Sequence, residues 1–237
     1  MRRALPLLLV VLALASVLAA CGKSEEPPPP AAAPQPAVPP PPAGTEIEPE
    51  EAIDLAQIAL GLDDLPDGVT VEFEGSAEAG EPAVSSYRRN FGFGDVKLGS
   101  SRIADLENTV TAFGSIEDAS GALGMIEAAF SGESAPEYFR EIVRQGAGFD
   151  PRNLRGQTLL QPELGDDSVI ASASFDTPAG PADGIFLFIR VGRLHSGIFL
   201  IGPRGKLDLE DSKSLVAALV GRMVAAEEAL AGSEPEA

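Results

Sequence analysis

The chain has 237 residues, 36 Asp and Glu against 17 Lys and Arg, and a formal charge of −19. That excess of acid argues against nucleic acid as a partner and against lying flat on anionic headgroups, since both need a basic surface. A single cysteine excludes an internal disulfide, and a single histidine excludes a two-histidine metal site and leaves only one position for the base of a catalytic triad.

Met1-Arg2-Arg3 is cationic, Leu5 to Leu18 is apolar except for Pro6 and Ser16, and Ala19 and Ala20 are small. This is the three-part build of a signal peptide over residues 1–20, and the run falls short of the roughly 20 residues of a membrane span. Leu18-Ala19-Ala20-Cys21-Gly22 resembles the lipobox of bacterial lipoproteins. The resemblance implies a diacylglycerol thioether on Cys21, cleavage between Ala20 and Cys21, and acylation of the new amine. Each buried methylene contributes roughly 0.8 kcal/mol, and two or more chains anchor stably where one does not. The alternative is a secreted protein with one exposed thiol. Loss of Arg2 and Arg3 leaves 15 bases against 36 acids, a mature charge near −21. The expected location is the outer face of the cytoplasmic membrane, or a periplasmic or outer-membrane site where the host has two membranes.

Residues 21–46 read as the lipidated cysteine and a tether. Pro27 to Pro42 alternates proline with alanine, which favours extended polyproline II. Roughly 24 residues at about 3.1 Å each reach about 75 Å. A Pro-rich recognition ligand is the other reading, but the basic flanks such ligands often carry are missing. Residues 47–232 are long enough for one globular domain with its own core, and residues 233–237 read as a frayed tail.

Within the domain, Pro49 to Leu60 reads as a helix and Leu65 to Gly68 as a turn, followed by strands over Val69–Glu74 and Val84–Phe93. Arg102 to Phe113 alternates most clearly. Ala104, Leu106, Val110 and Ala112 fall on one face, and Asp105, Glu107, Thr109 and Thr111 on the other. Asn108 interrupts the apolar face. It is either a polar contact in a pocket or a hydrogen-bonded core amide. Two helices follow, with Ser115/Asp118 and Ser134/Glu137 as capping pairs. Gly121 and Gly124 inside the first are expected to allow close packing on the sheet. Gln157–Leu160 and Val169–Phe175 read as strands, and Leu209 to Leu230 as a last helix.

Ile185–Val191 and Leu194–Ile201 form a hairpin whose two-residue loop, Gly192-Arg193, fixes its register. Val191 then pairs with Leu194, Arg190 with His195, Phe188 with Gly197 and Phe186 with Phe199. One face holds Ile185, Leu187, Ile189, Val191, Leu194, Ile198 and Leu200, and the other Phe186, Phe188, Phe199 and Ile201. Both are apolar, so the hairpin is expected to be central, with helices on one face and a further layer, a curled sheet or a ligand on the other. The order of elements predicts an α+β domain, a largely antiparallel sheet of six to seven strands with helices packed on it.

No catalytic constellation, metal site or cofactor is expected. Gly165-Asp166-Asp167-Ser168 reads as a strand-connecting turn rather than a metal loop, and "GFGDVKLGS" as a connection rather than a phosphate loop. Candidate ligand-binding residues are Asn108, Phe188, and the pair Arg190 and His195, whose other reading is a plain surface pair. "ENTVTAFGSIEDA", "LGDDSVIASASF" and "RVGRLHSGIFLI" together resemble extracytoplasmic sensor-type domains of actinobacterial lipoproteins and receptor kinases. Those tend to carry disulfides, which this chain cannot form. The expected function is a lipid-anchored, non-catalytic module, held to the membrane through Cys21, that binds a small ligand or an envelope protein. The alternatives are a carrier of lipid or another apolar molecule and an envelope hydrolase.

Overall fold

The computed structural model describes residues 53–233. The segments expected to be a signal peptide (1–20) and a tether (21–46), Cys21 among them, and the residues beyond Ser233 lie outside the described residues. The chain runs α1 (Leu55–Ile58), β1 (Thr70–Ala77), β2 (Ala83–Gly92), a small ribbon of β3 (Lys97–Leu98) and β4 (Ser101–Arg102), and β5 (Asp105–Phe113). It continues through α2 (Ile116–Ser131), α3 (Ala135–Ala147), β6 (Arg152–Leu160), β7 (Asp167–Thr177), β8 (Gly180–Val191), β9 (Leu194–Pro203) and α4 (Lys213–Ser233). Seven strands form one antiparallel sheet in the order β1-β2-β5-β9-β8-β7-β6, with the helices packed on it. The α+β expectation is met.

The hairpin pairs as its turn dictates: Val191 with Leu194, Arg190 with His195, Phe188 with Gly197 and Phe186 with Phe199. Gly192 takes φ +55°, a left-handed conformation that costs glycine nothing, and a Cβ there would displace the Glu227 carboxyl, 2.5 Å away. Carboxylates accept both turn amides, Asp166 from Gly192 N–H (2.7 Å) and Glu227 from Arg193 N–H (2.7 Å). Asp166, read as part of a connecting turn, is therefore a brace for the neighbouring hairpin.

Both faces of the hairpin are covered by helices. On the first, Leu187, Ile189, Val191, Leu194, Ile198 and Leu200 pack with Leu55, Ile58, Leu215, Leu219 and Met223, placing α1 and α4 over this side. On the second, Phe186 and Ile201 pack with Phe130, Phe139, Ile142 and Val143 of α2 and α3. The further layer is thus a second helical layer. The Phe188 ring lies 5.8 Å from that of Phe130 and 5.6 Å from that of Phe199, and is half-buried. Phe188→Ala should cost about 2–3 kcal/mol, less than a fully buried Phe. Urea denaturation reads this, and a loss under about 1 kcal/mol would remove Phe188 from the core.

Several local expectations need correction. Where the description begins, the first helix is one turn, Leu55–Ile58, capped by Asp54. After Ile58 the chain turns extended because side chains claim its backbone groups. Asn108 accepts from Leu60 N–H (2.8 Å), Arg89 donates to Leu60 C=O (2.6 Å) and Arg222 donates to Ile58 C=O (2.9 Å). The strand expected over Arg102–Phe113 breaks at Ile103, because Ser101–Arg102 pairs with Lys97–Leu98 instead. Ser115 does cap α2, accepting from Asp118 N–H (3.1 Å), but Ser134 makes no side-chain cap on α3. Gly121 and Gly124 meet nothing within 4 Å, so they point outward rather than easing packing.

Candidate ligand-binding face

The sequence candidates do not converge. Asn108 points to the first face, where it is fully buried. Its amide donates to Ser196 Oγ (2.9 Å) and to Gly197 C=O (3.0 Å). With Leu60 N–H on its oxygen, it is a hydrogen-bonded core amide that ties the α1 segment to the sheet. Phe188 belongs to the aromatic core. Arg190 and His195 are cross-strand neighbours, but the expected surface pair is not what forms: His195 is 8% exposed, its ring tilted against that of Phe113 with centroids 4.7 Å apart. Burial holds the imidazole down at about 4, opposed in part by a backbone hydrogen bond with Ala119 of α2 and reinforced by the Arg190 charge. Its Nε2 has no partner among the described residues. Arg190 turns to Asp166 (3.2 Å).

A different surface emerges from the second face of β1, β2 and β5. Strand pairing aligns Phe73, Asn90 and Glu107 in one row, Gly75, Arg88 and Thr109 in the next, and Ala77, Ser86 and Thr111 in a third. Each row continues into β9, at Phe199, Gly197 and His195, where the helical layer begins. One sheet face is therefore apolar under α2 and α3, and polar beyond them.

Side chains in this polar half lie over one another. The Arg88 guanidinium sits 4.8 Å from the centre of the Phe73 ring, itself 41% exposed, and 3.9 Å from Glu107 Oε2. Asn90 donates to the same oxygen (3.2 Å), and Thr109 donates to Glu107 Oε1 (3.4 Å). Arg88 Nε and Asn90 Oδ1, a donor and an acceptor two residues apart on β2, are enclosed without partners among the described residues. Unpaired polar atoms of this kind are costly in a resting protein.

At the lower end of the rows stand Asp105 and Glu107. With Ile142, Val143, Gly146 and Ala147 of α3 and Phe199 they line a cavity of about 10 Å³, room for at most one water. Burial, with the Glu72 charge added, pushes the Asp105 carboxyl up to about 6. Burial also raises Glu107, against the pull of Arg88. The alternation along β5 already put Asp105, Glu107, Thr109 and Thr111 on one polar face. Arg88 and Asn90 carry no such signal, since a strand reading of β2 gives no means of telling its outer face from its inner one. Among the described residues no group of three His, Cys, Asp or Glu is placed to hold a metal ion, and no helix is long and apolar enough to cross a membrane.

No protein-family profile matches the chain, and no curated protein matches it. A crystal structure of a Pseudomonas aeruginosa protein of unknown function, PA94, aligns with 69% of this chain and 98% of its own at 11% identity. Its TM-score of 0.27 is too low to carry any argument about fold or function.

Proposed function

We propose that this is a lipid-anchored extracytoplasmic binding module, tethered through acyl chains on Cys21, that takes a polar ligand or a polar protein surface on the open half of its sheet. The observation that carries the binding reading is the enclosed, unpartnered pair Arg88 Nε and Asn90 Oδ1 beside the exposed Phe73 ring. A ligand that offers an acceptor to the arginine and a donor to the amide pairs both atoms at once, and aromatic surface beside them adds contact area. The anchor rests on Leu18 to Cys21. The carrier reading has less support: the aromatic face is filled by α2 and α3, and the cavity at its edge holds about 10 Å³.

The decisive experiment is native mass spectrometry of the mature protein released from host membranes, alongside an Arg88→Ala/Asn90→Ala variant. A bound mass present in the parent and absent from the folded variant is expected. An apolar, lipid-sized mass that both retain would replace the binding reading with the carrier. The anchor has a separate test. Cys21→Ala should leave an uncleaved precursor that takes up no radiolabelled acyl chain, and normal labelling of that variant would sink it.

A further inference from the structure

Asp105 and Glu107 stand two residues apart on β5 and line the cavity beneath the last turns of α3. From α3 they meet Ile142, Val143, Gly146 and Ala147, none of which can carry charge. The carbonyls at the end of that helix, closing at Gly148, bring partial negative charge instead. The charged groups facing the pair come from the sheet. Glu72 of β1 repels Asp105, and Arg88 of β2 attracts Glu107 from 3.9 Å. Among the described residues the Asp105 carboxylate has no hydrogen bond or ion pair to compensate its burial, and the charges of Glu72 and Glu107 both lie near it. Two carboxylates are therefore pressed under a helix end that favours cations, with one cation within reach of one of them.

We propose that α3 is an acid-closed flap: its C-terminal turns seat on β5 when the Asp105–Glu107 pair carries at most one charge, and loosen when both carboxyls ionise. The raised carboxyl of Asp105, about 6, sets the transition in a mildly acidic range. Because Glu107 belongs both to this seam and to the polar rows of the sheet, loosening extends the open face toward α3, and acidification shortens it. The flap does not depend on any ligand occupying that face.

Hydrogen exchange of the mature protein between pH 5 and pH 8, corrected for intrinsic rates, reads the flap directly. Protection across residues 142–147 should fall about tenfold or more toward pH 8, the size of a one-unit difference in proton affinity between seated and loosened states. The α4 segment 215–223, packed on the opposite face, should not follow it. Asp105→Asn should hold residues 142–147 at the protected level throughout. A second pair of variants decides the matter if that protein fails to fold. A Cβ at Gly146 meets nothing within 4 Å, so Gly146→Lys can bring an ammonium to the seam. It should restore protection at pH 8, while Gly146→Ala, which improves helix propensity without charge, should leave the pH dependence in place. Protection that is flat with pH in the parent would overturn the flap. So would a pH dependence that survives in Asp105→Asn or in Gly146→Lys.

Discussion

Asn108→Leu should lower the free energy of unfolding by about 3–5 kcal/mol, even though leucine nearly matches the shape it replaces. Asn108 is fully buried, both of its amide hydrogens are donated and its oxygen accepts from Leu60 N–H. Leucine would leave Leu60 N–H unpaired where Leu60 is itself fully buried, and would take one donor from Gly197 C=O and one from Ser196 Oγ. Each orphaned buried group costs about 1–3 kcal/mol. Ser196 Oγ suffers less, because it still donates to Thr109 C=O at 3.2 Å. The loss should also be local: the Leu60 amide should exchange faster by more than the global change explains, since that one bond closes the α1 segment onto the sheet. Urea denaturation gives the first quantity and hydrogen exchange the second. A loss below about 1 kcal/mol would mean that Arg89 and Arg222, which hold the neighbouring carbonyls, dock the segment without Asn108.

What was legible in the sequence follows from how local its cause is. The register of β8 and β9 came from two residues, Gly192 and Arg193, because a two-residue loop leaves the strands no freedom to slide. The two-faced hairpin followed from the register alone. Boundaries set by distant side chains were not legible. Pro49 to Leu60 has the composition of a helix, yet its end is fixed by Asn108, Arg89 and Arg222, which lie up to 164 positions away along the chain. The site suffered most. His195 looked like a hairpin-tip residue open to solvent, but α2 lies over it, and nothing in β9 announces that covering. Asp105 and Glu107 were on the polar face of an alternating strand, which ordinarily means water. Only the packing of α3 turns that face into a seam, and helix-to-sheet placement has no signature in the strand.

From pH 7.5 to pH 4.5 the parent protein should keep a nearly level stability, and two substitutions should uncover slopes of opposite sign. His195 is held at about 4 in the fold, below the ordinary 6.5, so over this window the unfolded chain binds the extra proton and stability falls with acidification. Asp105 is held at about 6, above the ordinary 3.8, so over the same window the folded protein binds the extra proton and stability rises with acidification. Glu107, also raised by burial, acts with Asp105. A hundredfold change in proton affinity corresponds to about 3 kcal/mol for a fully enclosed group. His195 should approach this at about 2–3 kcal/mol, while solvent screening at the partly exposed Asp105 reduces it to about 1–2 kcal/mol. Asp105→Asn should therefore lose about 1–2 kcal/mol between pH 7.5 and pH 4.5, because Glu107 keeps part of the opposing slope. His195→Leu should gain about 2–3 kcal/mol over the same span from Asp105 and Glu107 together, its unpartnered Nε2 making an apolar replacement tolerable. Asp64, lowered by Arg222 against the cost of its burial, and Asp211, lowered by Ser101 and Ser100, both have ordinary values of 3.8, beneath this window. The measurement is a set of urea midpoints and slopes for the three proteins at four pH values. Parallel profiles for parent and variants would show that neither buried group carries the proton linkage, whereas profiles that diverge toward acid with the stated signs would assign each half of the balance to its residue.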